Sequence, residues 1–193
     1  MPTQDEKDRR EYYRIEDTIA LDFRQLSAAE AASQEPLVGG STVFNLLSEL
    51  HLLDFESQHM LRHISERDRT LASYLKVINK RFDLLSQAVA QSLLEDIGEP
   101  RPVIISEGGV SFSDPEKLQV GTQLAMKIVL MPQALGLMLR AKVVHCTAIA
   151  TGSYDIGTEF EALTDAQRQL LARHILQRQA HERRTAREQA DLT

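Results

Sequence analysis

The side chains best suited to chemistry near the start of this sequence are two arginines. Arg10 and Arg14 are separated by three residues and directly precede a predicted strand. A guanidinium group binds phosphate oxygens in a bidentate manner and stacks on planar bases. The pair therefore indicates a site for a compact anionic ligand, although a solvated basic segment is the ordinary interpretation of these residues taken alone.

A second candidate site lies in the run IISEGG at residues 104–109, between two predicted strands. Ser106 supplies a hydroxyl group, and Gly109 lets the backbone approach a ligand closely because it has no side chain. The presence of this run strengthens the case that the arginine pair serves a ligand.

Other groups of reactive side chains lack the partners that catalysis or metal binding needs. His59 and His63 have the i, i+4 spacing of a metal pair, but no glutamate follows His59 as it does in zinc proteases. His145 and Cys146 are adjacent, without a visible base or triad. The sequence therefore predicts a protein that is not an enzyme and that holds no metal or cofactor.

Charge limits the class of partner. The formal net charge is −6, which argues against non-specific DNA binding because such binding depends on many basic side chains. Six arginines between Arg168 and Arg187 could indicate RNA, but the interspersed Glu182 and Glu188 and the lack of neighbouring aromatics favour a solvated face. We expect no nucleic-acid partner.

The single cysteine, Cys146, cannot form an intramolecular disulfide, which suits a reducing compartment. A charged stretch follows Met1, and no apolar run is long enough for a signal sequence or a membrane span. We therefore expect a cytoplasmic protein without a membrane partner.

The hydrophobic pattern divides the chain into three stretches. Residues 19–23 alternate between apolar and polar or small side chains, which predicts a first strand. A capping box at residues 27–30 opens a short helix. Residues 41–97 then contain neither glycine nor proline, which predicts long helices; Asp54 could cap a second helix and divide this stretch.

Beyond residue 100 the apolar period changes to two, and turns rich in glycine separate the apolar runs. A second capping box, at residues 164–167, opens a helix with one apolar face, and we expect its polar end to fray from about Arg178. The predicted strands are Val103–Ser106, Val110–Ser113, Leu124–Met131, Leu137–His145 and Tyr154–Phe160.

These elements predict an α+β fold in which six antiparallel strands close a β-barrel, since closure removes exposed strand edges. A long helical insertion follows the first strand, and a helix follows the last one. We divide the chain into the first strand with its arginines at 9–26, the helical insertion at 27–99, the rest of the barrel with its C-terminal helix at 100–184, and a polar tail at 185–193.

A seven-residue repeat of apolar side chains runs along the insertion and predicts a coiled coil. At about 1.5 Å per residue, such a helix outruns so small a domain, so we expect copies of the chain to cover it; the alternative is that it packs on its own barrel. Leucine at a and isoleucine at d favour assemblies larger than a dimer, and we expect a tetramer. The residues predicted to form this interface are Leu61, Ile64, Leu71, Leu75, Ile78, Phe82, Leu85 and Val89.

Two details of the insertion stay open. Asp68 falls at an a position, where it could set the register, or it could face water if the repeat skips there. The segment at residues 43–53 is apolar around most of its circumference and could fold back on the long helix or cover the barrel.

Together these motifs resemble those of the PilZ family, receptors for the bacterial second messenger cyclic di-GMP. Arg10 and Arg14 match its R-x-x-x-R motif, and Ser106 and Gly109 match the end of its D/N-x-S-x-x-G motif. The run IGTEF at residues 156–160 and the leucine-rich helix after it match the family's closing pattern. The resemblance implies that the arginines clamp phosphates and stack on guanine, while the second motif meets the guanine edge and the ribose.

One position departs from the family pattern. Ile104 stands where the family has aspartate or asparagine, and an alkyl side chain cannot hydrogen-bond a guanine edge. The chain is similar to an atypical PilZ group that carries a long heptad-bearing insertion, forms tetramers and binds the nucleotide weakly or not at all. We therefore expect a non-enzymatic protein of cyclic di-GMP signalling with weakened or lost nucleotide binding and a protein partner. The alternative is a structural oligomeric adaptor that binds a protein partner and no nucleotide.

Overall fold

The computed structural model describes residues 13–33, 37, 42–132, 135–149 and 152–190. Six antiparallel strands within them close a barrel in the order β1-β2-β3-β6-β5-β4. The strands are β1 (Ile15–Gln25), β2 (Arg101–Ser106), β3 (Gly109–Asp114), β4 (Gln123–Leu130), β5 (Leu135–Ile149) and β6 (Ser153–Glu161). The described helices are α1 (Ala28–Ala32), α2 (Thr42–Arg67), α3 (Arg69–Ile97) and α4 (Asp165–Ala190). The predicted fold class is confirmed.

The strands form where apolar side chains alternate. In β2, for example, Val103 and Ile105 are buried while Pro102 and Ile104 are exposed, so one face of the strand lies in the core. β5 continues to Ile149, beyond its predicted end at His145, and its last residues are mostly exposed. Its neighbour in the barrel is β6, so backbone pairing extends this hairpin past the core.

The chain divides into two compact units whose limits do not coincide with the ends of the strands. Among the described residues, one unit contains 13–17, 102–123, 141–149 and 152–190, and the other contains 18–33, 37, 42–101, 124–132 and 135–140. The boundaries predicted at 9–26, 27–99, 100–184 and 185–193 remain predictions.

In the second unit β1 pairs with β4 and is buried on both faces. Leu21 lies opposite Ile128 and Ala20 lies opposite Val129, and all four side chains are buried. Phe44 and Ile97 pack with Ala20 and Val129 in one apolar cluster, which explains why that face is closed to solvent. The helical insertion therefore covers part of the outer surface of these strands.

The insertion is an antiparallel helical hairpin. Phe44 lies near the start of α2 and Ile97 is the last residue of α3, yet both belong to the same cluster. Helices of 26 and 29 residues are each about 40 Å long. Their distant ends can meet in one cluster only if α2 runs outward and α3 returns beside it, and the two helices are in contact.

Asp68 forms the tip of the hairpin. Its backbone N–H donates to the carbonyl of Ile64 at 2.7 Å, and its Oδ1 accepts from the N–H of Leu71 at 2.9 Å. It thus ends α2 and serves as the N-cap of α3. The expectation that Asp54 divides the insertion is wrong, because Asp54 lies inside α2. Asp68 is exposed, so of its two predicted roles the structure supports the one in which it faces water.

The eight predicted interface residues are therefore distributed over two helices. Leu61 and Ile64 lie on α2, and the other six lie on α3, beyond the tip. The seven-residue repeat crosses a turn and does not describe one continuous helix.

The C-terminal helix α4 is tied to β1 by a buried ion network. Asp17 Oδ2 lies 2.6 Å from Nε2 of His174, and its Oδ1 lies 3.0 Å from an Nη atom of Arg178. The side chains of Asp17 and His174 are almost fully buried, and Leu171 and Ile175 pack beside them on the same helix. The expectation that this helix frays from about Arg178 is wrong, since it continues to Ala190.

Candidate functional site

The β2–β3 hairpin places the Ser-Gly pair of the predicted site. Ser106 and Gly109 lie opposite each other at its end. The Ser106 hydroxyl donates to the Gly109 carbonyl at 3.3 Å and accepts from the N–H of Gly108 at 3.3 Å. Ser106 is buried, so within the described structure its hydroxyl closes the turn between the strands.

Gly109 lies where β3 approaches β6 very closely. A Cβ atom at this position would collide with the carbonyl oxygen of Thr158, which is backbone and cannot easily move. The hydroxyl of Thr158 also donates to the carbonyl of Val110 at 2.9 Å, which ties the same strands together. Strand packing is therefore sufficient to require glycine here.

Ile104 lies on the outer face of β2, with its side chain 47% exposed. It is opposite Ser111 of β3 and two residues before Ser106. The position where the family motif has a carboxylate or an amide is thus open to solvent, and it presents an alkyl group there.

Arg14 is exposed and directly precedes β1. β1 and β2 are neighbours in an antiparallel barrel, so the start of β1 and the end of β2 lie at the same end of the sheet. A hydrogen bond from Arg101, the first residue of β2, to the carbonyl of Leu21 is consistent with this register. Arg14 and Ser106 are therefore at one end of the barrel, while Arg10 lies outside the described residues.

A polar cluster on the outer face was missed by sequence reasoning. The Ser111 hydroxyl donates to Asp155 Oδ1 at 3.3 Å, and Asp155 Oδ2 lies 3.1 Å from Nε2 of His145. The imidazole lies over Gly157, where a Cβ atom would collide with it. Since Gly157 is opposite Ser111, and Ser111 is opposite Ile104, these residues form a row across β2, β3, β6 and β5.

A signal for this cluster was present in the β5–β6 turn. A hairpin centred near residue 151 places residues at equal distances from that centre opposite each other, which pairs His145 with Gly157. Reading His145 only with its neighbour Cys146 overlooked this cross-strand relation.

The cluster does not form a catalytic arrangement. Within the described residues the Ser111 hydroxyl contacts Asp155 and not the imidazole, so His145 does not activate it as a nucleophile. In the same part of the chain, no three His, Cys, Asp or Glu side chains are grouped so that they could hold a metal ion. None of the described helices is long and apolar enough to cross a bilayer.

Comparison with solved structures finds a relative with the same fold. A pathogenic protein from Xanthomonas campestris, described as a tetrameric PilZ domain self-assembled through an unusual helical bundle, superposes with a TM-score of 0.55. The match covers 92% of each chain at 16% sequence identity. The Bacillus subtilis inhibitor of motility, MotI/DgrA, matches 42% of this chain and 43% of its own at 19% identity, with a TM-score of 0.35.

The search of curated proteins finds no match. The model of the PilZ domain family matches residues 101–177, which run from the start of β2 into α4 and include the β2–β3 hairpin, the outer-face row and the root of the C-terminal helix. Together with the six-stranded barrel, this match identifies the chain as one that carries a PilZ domain.

Proposed function

We propose that this chain is a non-enzymatic protein of cyclic di-GMP signalling, that its helical hairpin assembles it into an oligomer, and that its nucleotide binding is weakened or lost. The observation that carries the proposal is the exposed alkyl side chain of Ile104 at the motif position for aspartate or asparagine. A cytoplasmic location fits a chain with a single cysteine.

The chemistry of Ile104 opposes nucleotide binding. A guanine edge that is desolvated on binding needs an acceptor for its N–H groups, and an unsatisfied polar group costs about 1–3 kcal/mol. Ser106 does not replace that acceptor, because its hydroxyl already bonds within the turn. Arg14 is exposed and free to meet a phosphate, so the part of the site that recognises charge remains while the part that recognises the base is lost.

The assembly proposal rests on an apolar face of the hairpin that the chain itself leaves open. Single exposed apolar residues are common, but a long row of them marks an interaction surface. On α2 the exposed members are Val43, Leu46, Leu53 and Met60, and on α3 they are Leu71, Tyr74, Phe82, Leu85 and Val89.

The two rows lie on the same side of the hairpin. In α3 the buried Ala72 and Ser86 mark the side that faces α2, and Leu71 and Leu85 lie about a quarter turn from it at 100° per residue. In α2 the half-buried Gln58 and Ser65 mark the side that faces α3, and Leu53 and Met60 lie about a quarter turn away. Because antiparallel helices turn in opposite senses when viewed from one end, both quarter turns lead to the same face.

A second copy of the chain fits this face best. Two hairpins packed face to face form a four-helix bundle, in which each apolar row is covered by an equivalent one. The Xanthomonas protein, described as tetrameric through a helical bundle, supports a tetramer for this chain as well. The predicted residues on α3, from Leu71 to Val89, supply most of the contact.

Calorimetric titration with cyclic di-GMP tests the ligand proposal. We expect the native chain to release little or no heat at tens of micromolar. Ile104→Asp should gain affinity of about tenfold or more, since the desolvated edge recovers its partner. The gain should disappear when Arg14→Ala is combined with Ile104→Asp. Tight binding by the native chain would contradict the proposal.

A structural oligomeric adaptor that binds a protein partner and no nucleotide is the second candidate, and Ile104 favours it too. The same titration separates the two proposals. If Ile104→Asp also releases no heat, the base-recognition site is not latent in this barrel, and the adaptor is the better description.

A further inference from the structure

The outward face of α4 carries an exposed stripe with its own chemistry. It consists of Arg173, Leu176, Ala180, Arg183 and Arg187, which we call the α4 stripe. These residues follow each other at intervals of three and four, so they lie in one row along the helix. All five are exposed, and Leu176 in particular is 64% exposed. The row is about 21 Å long.

The root of the helix is rigidly held. His174 and Ile175 are buried on the opposite side of α4, and Asp17 binds both His174 and Arg178. Arg183 and Arg187 lie about 12 and 18 Å beyond Ile175 along the axis. The α4 stripe therefore begins where the helix is packed and continues on a part that has left the core, so it is presented ready for contact.

The order of side chains along the stripe limits what it can bind. Arginines stand at both ends, and an apolar leucine and a small alanine stand between them. Glu182, the acidic residue next to Arg183, points about 100° away from it. A phosphodiester chain would leave the leucine unused, a net charge of −6 repels nucleic acids and anionic bilayers, and one leucine buries too little area for insertion into lipid.

We propose that the α4 stripe docks an acidic amphipathic helix of a partner protein. Leu176 would receive an apolar side chain of that helix, and Ala180 would let the two backbones approach. Carboxylates spaced by three and four residues would then meet Arg173 at one end and Arg183 and Arg187 at the other, where guanidinium forms charge-assisted hydrogen bonds. This surface lies on a different helix from the assembly face of α2 and α3.

A defined peptide tests the proposal with the full chain. The probe is a synthetic fluorescent helix with two central leucines flanked by glutamates at intervals of three and four, measured by fluorescence anisotropy. A peptide of the same composition with scrambled order is the control probe. Arg183→Glu removes a charge from the stripe, and Arg168→Glu makes the same change at an exposed residue on another face of α4.

We expect the ordered peptide to bind and the scrambled one to bind more weakly. Arg183→Glu should weaken binding about tenfold or more, Leu176→Ser should weaken it as well, and Arg168→Glu should leave it unchanged. Equal losses for Arg183→Glu and Arg168→Glu, or no binding of the ordered peptide, would overturn the proposal. Tighter binding of a single-stranded RNA or of anionic vesicles would assign the stripe to those partners, and a smaller assembly for Arg183→Glu would assign it to a second copy of the chain.

Discussion

Two glycines of the barrel show how a missing side chain shapes its outer face. At Gly109 the space for a Cβ atom is taken by the backbone carbonyl of Thr158, and at Gly157 it is taken by the imidazole of His145. The obstacle at Gly109 belongs to a paired strand, whereas the obstacle at Gly157 is a side chain that can rotate. The two positions should therefore tolerate substitution differently.

Gly109→Ala should lower the free energy of unfolding by about 1–3 kcal/mol, because β3 and β6 must separate to admit the methyl group. Gly157→Ala should cost less, since His145 can turn away and lose only its contact with Asp155. Urea denaturation of both variants measures the difference. The explanation fails if His145→Ala, which vacates the space above Gly157, leaves the cost of Gly157→Ala unchanged.

Glu30 illustrates how a short helix is capped at an exposed site. Hydrogen bonds from Arg24, together with those from the backbone and side chain of Ser27, lower its pKa from 4.5 to about 2. A carboxyl group whose folded pKa is depressed stabilises the fold above its unfolded pKa, and this contribution is lost as the pH falls toward the folded value. The capping of α1 should therefore weaken between about pH 4.5 and pH 2.

An NMR titration of the Glu30 carboxyl group should have its midpoint near pH 2. In Arg24→Gln the midpoint should move toward 4.5, and in Ser27→Ala it should move less, because the Arg24 side chain is the largest cause of the shift. A midpoint near 4.5 in the native chain would show that the Arg24–Glu30 pair does not form in solution.

At the scale of elements, β1 carries two carboxylates in opposite surroundings. Asp17 is buried between His174 and Arg178 of α4, whereas Asp22 forms a half-exposed pair with Lys127 of β4 at 3.3 Å. A buried charge that loses its partner keeps its desolvation cost, while an exposed pair is screened by water. The attachment of α4 to the barrel therefore depends on Asp17.

Asp17→Ala should destabilise the fold by about 3–5 kcal/mol, because it leaves His174 and Arg178 without their carboxylate. Asp22→Ala, a matched change on the same strand, should cost less than about 1 kcal/mol. Chemical denaturation followed by circular dichroism compares them. Similar costs for the two variants would mean that the ion network contributes no more than a surface pair.

At the scale of the whole molecule, the open apolar face of the hairpin predicts assembly. Leu85 and Leu84 are adjacent on α3, with exposures of 62% and 54%, but only Leu85 lies on that face. Because both side chains are exposed in the single chain, aspartate at either position should leave the subunit folded.

Sedimentation equilibrium should find the native chain as a tetramer and Leu85→Asp as a smaller species. Leu84→Asp, the matched control, should keep the native mass. Burial between subunits should also make the melting temperature of the native chain rise with protein concentration, an effect that Leu85→Asp should reduce. A native chain that sediments as a lone subunit would refute the assembly proposal.

Much of the fold follows from local patterns in the sequence. The six strands were predicted because alternation of apolar residues is a property of neighbouring positions, and the capping boxes that begin α1 and α4 were visible for the same reason. The candidate site was predicted in part. The Ser106–Gly109 turn lies within four residues, whereas the contact of His145 with Asp155 joins two strands.

The sequence by itself determined which residues are apolar, where strands and helices form, and that Ile104 replaces a polar motif residue. Only the tertiary structure decided that the insertion is a hairpin, because a seven-residue spacing can continue on both sides of a turn and Asp68 fits either a helix or its cap. It also decided that His174 is bound to Asp17, since the two are far apart in sequence and meet only when α4 packs on the barrel. Local periodicity specifies elements, whereas the burial of their apolar and charged faces specifies how they meet.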